Sequence, residues 1–228
     1  MKFYIANPDL DAQITEIKKT IRLSMNGVVS DQMTKSGIIY KKNYGVTIPR
    51  IKEIALRYTP NHDLAQRLWA LNIRETMIMA TLLEPIDKFT PEIAQVWVES
   101  FNQIEIIEQV SMNLFSKLPF AASLSAQWIQ SENVWKQVTG FILAARITDK
   151  FNRDEISIIV NIAMNLSGTN DLHLYKSIGL CLSRLCRKGK EVATYILKEI
   201  ETYPVDSSIS RQYISSEVKQ EILFLDIL

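Results

Sequence analysis

The chain has 228 residues, enough for one large domain or two small ones with a substantial core. Apolar residues at 47% against 22% charged suit a globular protein, and a net charge of +1 gives no general pull on a polyanion, so any nucleic-acid contact must come from a local patch. No apolar run is long enough to cross a bilayer, and the start, MKFYIANPDLDAQ, turns polar too soon for a signal peptide; a cytoplasmic protein without membrane contact is expected.

The chain reads as helix almost throughout. DLDAQITEIKKTIRLSM, residues 9–25, spaces Ile14, Ile17, Ile21 and Met25 along one apolar face. TIPRIKEIALRYT (47–59) follows, with Pro49 near a first turn and Ile51, Ile54, Ala55 and Tyr58 on one side. DLAQRLWALN, RETMIMATLLE, TPEIAQVWVESF and FNQIEIIEQVSMNLF carry the pattern to residue 115, and AASLSAQWIQ and NVWKQVTGFILAARIT to residue 148. RDEISIIVNIAMNL, DLHLYKSIGLCLSRLCRKG, KEVATYILKEIE and SSEVKQEILFL complete the series.

The boundaries have chemical reasons. Asp63, Thr90 and Asp154 stand where an N-cap is wanted, Pro91 fits a first helical position, and Gly189 follows a basic last turn. No segment alternates between turn signals long enough to be a strand. About a dozen short helices joined by short links imply an all-α chain of stacked helical hairpins, a single α-solenoid or alpha-alpha superhelix without a sharp repeat consensus. One domain is expected over residues 1–228, with residues 1–30 as an N-terminal cap helix.

Cys181 and Cys186 lie five apart in one helical pattern, about 140° round the axis, a spacing that suits free buried thiols. His62 and His173 stand apart without cysteine neighbours, and no metal or other cofactor is expected. Short basic clusters occur at Lys18, Lys19 and Arg22, at Lys41 and Lys42, and at Arg184, Arg187, Lys188 and Lys190; each also suits a solvated helix end.

Three segments carry a family resemblance. IIYKKNYGVTIPRIKEIALRY (38–58) presents Tyr44-Gly45-Val46, then Pro49 and an Ile-Ala helix. LAQRLWALNIRETMIMATLLE (64–84) places Leu68-Trp69, Arg74-Glu75 and Ala80 in order, and LYKSIGLCLSRL (174–185) contains Lys176-Ser177-Ile178-Gly179. Over roughly residues 25–225 this series resembles the HEAT-like-repeat DNA alkylation repair family, the AlkD-like alkylpurine DNA glycosylases. Read without the resemblance, Gly45 is a helix-opening turn, Trp69 a core residue, and Arg74-Glu75 a cap or an ion pair between helices.

The resemblance implies duplex DNA, alkylated or not, held in a concave basic cleft, with an aspartate near the deoxyribose and two tryptophans beside it. A carboxylate there stabilises the positive charge that builds on the sugar as the N-glycosidic bond breaks. The family's Trp-Asp-x-x-Asp motif falls on Ile104-Glu105-Ile106-Ile107-Glu108: isoleucine replaces the tryptophan, and Glu108 stands for the catalytic aspartate. A reacting group misplaced by about an ångström can cost on the order of 10²-fold in rate. The second tryptophan position reads Leu180, and Gln137 and Val138 occupy an arginine pair's place after Trp135.

The leading expectation is therefore a DNA alkylation repair-like protein that binds DNA with its glycosylase residues largely replaced. Lys41, Lys42, Arg50, Lys52, Lys136 and Arg184 are its candidate phosphate contacts. Two further readings stand beside it: an active alkylpurine glycosylase using Glu108, and a scaffold for a protein partner, a common task of helical solenoids. Glu105 and Glu108 share one helix face, and the bland reading makes them the wet edge of a helix that buries Ile104, Ile107 and Leu114.

Overall fold

A computed structural model describes residues 6–202, 204 and 208–227. The expected domain span 1–228 and the cap span 1–30 both reach residues outside these. Among the described residues there are thirteen α-helices and no strand: α1 Pro8–Leu23, α2 Gly27–Lys35, α3 Ile48–Ala55, α4 His62–Ala70, α5 Arg74–Leu83, α6 Pro91–Val98, α7 Ile104–Asn113, α8 Ala121–Ile129, α9 Val134–Arg146, α10 Arg153–Leu166, α11 Leu172–Cys186, α12 Lys190–Glu201 and α13 Ile209–Leu225. Single 3₁₀ turns at Ile86–Lys88, Phe115–Lys117 and Thr148–Lys150 link some of them.

Several ends differ from the sequence expectation, each for a local reason. Asn61 and Asn152, not Asp63 and Asp154, cap α4 and α10, their side chains accepting from the Leu64 and Glu155 amides. Glu155 reaches back to the Asn152 amide and completes a capping box, which fixes the start one residue before the acidic pair. Thr90 does accept from the Ile93 amide ahead of Pro91, though at 3.4 Å. Helix α1 ends at Leu23, so Met25 leaves the apolar face and is exposed, and Leu10 joins Ile17 and Ile21 in the core. Helix α2 has no buried residue and so carries no apolar stripe to read in the sequence. Helix α13 begins earlier than expected, because Ser208 caps Arg211.

The chain divides into two compact units, Met1–Ala94 with Gln103–Leu114, and Gln95–Asn102 with Phe115–Leu228. In the first, α4 and α5 form a hairpin, and α3 and α7 also pack on α5. Nine of the ten residues of α5 are buried, Arg74 and Glu75 among them, so this helix is the unit's centre and its charges must be paired inside.

The second unit is two-layered. Helices α9, α11 and α13 pack side by side in one layer, and α8, α10 and α12 form the other. Trp97, Phe115, Trp128 and Phe141 are its largest fully buried side chains, with Phe115 and Trp128 rings 5.2 Å apart. Gly140 lets α8 and α9 approach: a Cβ there would lie 2.7 Å from the Ile129 amide nitrogen. Cys181 and Cys186 are free and buried, and burial pushes the Cys186 thiol up to about 12.

A repeat hidden in the sequence becomes visible here. Ser157 and Tyr195, 38 residues apart, meet at 3.2 Å between α10 and α12. The same interval separates Arg153 from Glu191, Trp135 from His173, and Tyr175 from Tyr213, and each of these pairs is in contact. Lys150 and Lys188 obey it too. The Lys150 ammonium donates to the Ser116 and Leu118 carbonyls, and that of Lys188 to Thr148 and Phe151, each tying the preceding inter-helix turn. Carbonyls at helix ends and turns have acceptor capacity to spare, so a lysine at a fixed offset fills it once per repeat.

Candidate nucleic-acid interface

In the first unit the carboxylate motif is absorbed by structure. Arg74 grips Glu105 with two prongs, Nη2 to Oε1 at 2.6 Å and Nε to Oε2 at 2.8 Å. Its Nη1 donates to the Val46 carbonyl (2.8 Å) and to Glu75 (3.1 Å). Glu75, wholly buried, accepts from the backbone amides of Tyr44 and Val46. Tyr40 donates its hydroxyl to Glu105 at 3.0 Å, and burial together with the Glu105 charge drives the phenol well above its ordinary pKa. The result is a buried bracket that fastens the segment 40–46 across α5 and α7.

Gly45 is part of that bracket. Its φ is +68°, and a Cβ would overlap the Asn26 carbonyl oxygen and lie 2.8 Å from the Ser30 amide nitrogen. The tyrosine–glycine–valine sequence therefore marks a backbone crossing against the start of α2.

The two glutamates differ in kind. Glu105 is 16% exposed and fully engaged, whereas Glu108, a turn further along α7, is exposed. Ile104 is half-buried rather than buried, and Ile106 takes the core place beside Ile107 and Val110. Ile104 opens the helix, so no preceding turn of α7 lies beneath its side chain. At the end of α7, Asn113 donates to Thr81 Oγ1 at 2.8 Å.

The second unit gathers the other named positions on α9 and α11. Gln137 and Val138, where the family has arginines, are both buried in α9. Trp135 is half-buried with its ring 5.2 Å from that of His173, and Lys136 beside it pairs with Glu99 at 3.5 Å. Leu180 and Arg184 line a polar cleft of about 420 Å³ with Ser116, Thr148, Arg146 and Arg187. Arg187 is held by Glu221. Arg146 and Arg184 have no carboxylate within ion-pair range among the described residues.

The remaining candidate cations lie in the first unit. Lys41, Lys42 and Lys52 are exposed, with the Lys42 ammonium 5.0 Å from the Tyr44 ring centre. Arg50 pairs with Glu53 at 2.8 Å and donates to Ser24. Sequence reasoning passed over Arg146 and did not join His173 to Trp135. The 38-residue interval would have found both, since Arg146 stands to Arg184 as Trp135 stands to His173.

The fold and these faces describe an all-α repeat protein with an arginine-lined cleft in its second unit. The family described as "DNA alkylation repair enzyme" matches residues 17–211, and the chain belongs to that family. Among solved structures it is similar to one described as "A new family of proteins related to the HEAT-like repeat DNA glycosylases with affinity for branched DNA structures". The TM-score is 0.79 at 13% identity, over 93% of this chain and 95% of that one, which establishes the HEAT-like repeat fold. No match was found among curated proteins.

Proposed function

We propose that this protein binds DNA through the arginine cleft of its second unit and has given up glycosidic-bond cleavage. The observation that carries the reading is the pair Arg146 and Arg184, which line one cleft and have no carboxylate within ion-pair range among the described residues. A guanidinium left free at a surface cleft is suited to a phosphate, which it can meet with two parallel hydrogen bonds. The loss of chemistry rests on α7. Glu105 is committed to Arg74 and Tyr40, Ile104 offers no aromatic face, and Glu108 is an exposed carboxylate. An exposed carboxylate is screened by water, and electrostatic stabilisation of a developing cation depends on a water-excluded site. The similar structure's affinity for branched DNA makes a four-way junction the first ligand to try.

The test combines binding and base release. Junction and linear duplex DNA are titrated at two salt concentrations, and N-methylated duplex is assayed for liberated base, with Glu108→Gln as control. Salt-sensitive binding without release is the expected result. Release that disappears in Glu108→Gln would reinstate the glycosylase, and absence of both binding and release would favour a protein scaffold.

A further inference from the structure

We propose that Trp135 and His173 form a stacking platform for an unpaired DNA base, on the same strip of surface that carries the phosphate-binding arginines. This deepens the DNA-binding reading above and rests on it. Trp135 lies in the first turn of α9 and Arg146 closes that helix; three turns separate them, which returns both to the same side, ~16 Å apart. His173 and Arg184 stand in the same relation on α11, with Leu180 between them. Because α9 and α11 pack together, the two helices present one composite strip. Aromatic rings mark its N-terminal end and arginines its C-terminal end.

The chemistry of the strip selects its ligand. Trp135 and His173 are both half-buried, their centroids 5.2 Å apart and their planes 34° from parallel. Trp69, Trp97 and Trp128 are all buried in the core, at most 7% exposed, so half-buried Trp135 is the most exposed of the four tryptophans. Paired bases in a duplex present no free π-face, whereas an unpaired base does, and such a base stacks on an aromatic side chain with little regard to sequence. The spacing of rings from arginines then lets one strand leave its base at one end and its phosphates at the other. A strand freed at a branch point or a gap has this chemistry.

The burial pattern also supplies the probe, since tryptophan quenching by a base reports on Trp135. The full chain is titrated with a junction bearing unpaired thymines and with the same junction bearing abasic sites at those positions. Quenching by the first and not the second is expected, with about tenfold tighter binding of the first. Trp135→Ala with His173→Ala should lose that preference and bind the abasic junction as wild type does, while Trp135→Phe, which keeps a ring, should keep the preference without the quench. Arg146→Gln with Arg184→Gln should weaken both ligands alike. Equal binding of the two junctions by the wild-type chain, with normal salt sensitivity, would overturn the platform and leave the DNA reading intact. No binding of either junction at low salt would overturn both.

Discussion

Arg74 and Glu105 meet through two parallel hydrogen bonds, of 2.6 and 2.8 Å, with the guanidinium 4% exposed. The arginine is bound on its other side to Glu75 and the Val46 carbonyl, so the ion pair is the outer half of a bracket that positions residues 40–46. That relationship places Glu105 in the architecture, and it separates the glutamate from the exposed Glu108 one turn away.

Removing one carboxylate of such a bracket leaves buried donors without their acceptor. Glu75→Ala leaves the buried Tyr44 and Val46 amides without their acceptor and takes one of Arg74's two carboxylate partners, and should cost about 3–5 kcal/mol. Glu105→Ala leaves Arg74 its Glu75 partner and should cost less, about 1.5–3 kcal/mol. Glu108→Gln, at the exposed position, should cost the least of the three. Urea denaturation of the three variants checks the order.

At Gly45 the backbone itself decides. The positive φ and the close approach of the Asn26 carbonyl leave no room for a methyl group. Gly45→Ala should destabilise by about 3 kcal/mol, combining overpacking with left-handed strain. A fall in thermal midpoint, with the helical circular-dichroism signal retained at low temperature, is the expected observation.

The salt dependence of DNA binding counts the arginines. Every phosphate that a variant no longer neutralises should lower the slope of log K against log salt by about 0.9. Arg146→Gln with Arg184→Gln should therefore reduce it by nearly two, whereas Arg50→Gln, whose arginine already faces Glu53, should leave it close to wild type. Fluorescence anisotropy over a salt series measures both.

Glu84 offers a pH test of folding. Burial raises its pKa above the ordinary carboxylate value, against the lowering effect of His62 and Gln66, which hydrogen-bond its two oxygens. A raised folded-state pKa means that the neutral form is the one the fold favours. The contribution is complete below the unfolded value of about 4.3 and is lost as pH rises through the folded value. Glu84→Gln removes this loss, so its thermal midpoint relative to wild type should climb between pH 4 and pH 7. A constant difference across that range would contradict the assignment.

How much of the molecule is legible in its sequence varies with the kind of interaction. The helices with a buried stripe are readable, α1 and α3 through α7 among them, because burial imposes a 3.6-residue period on the sequence. Helix α2 is not, since it buries nothing. Asp63 and Asp154 suit caps by residue type, yet Asn61 and Asn152 have the geometry. Two asparagines just upstream of acidic first turns are the local signal that marks them.

The sequence by itself determined the all-α class, most helix spans, the free cysteines and the family resemblance, all of which rest on local periodicity or on ordered short segments. Only the tertiary structure decided the rest. Glu105 is drawn to Arg74, thirty-one positions earlier. Trp135 is brought to His173, and Arg146 and Arg184 to one cleft where neither meets a carboxylate among the described residues. Whether a carboxylate or a guanidinium is engaged or free depends on partners distant in the chain. Only the packing of helices brings those partners within a hydrogen bond's reach.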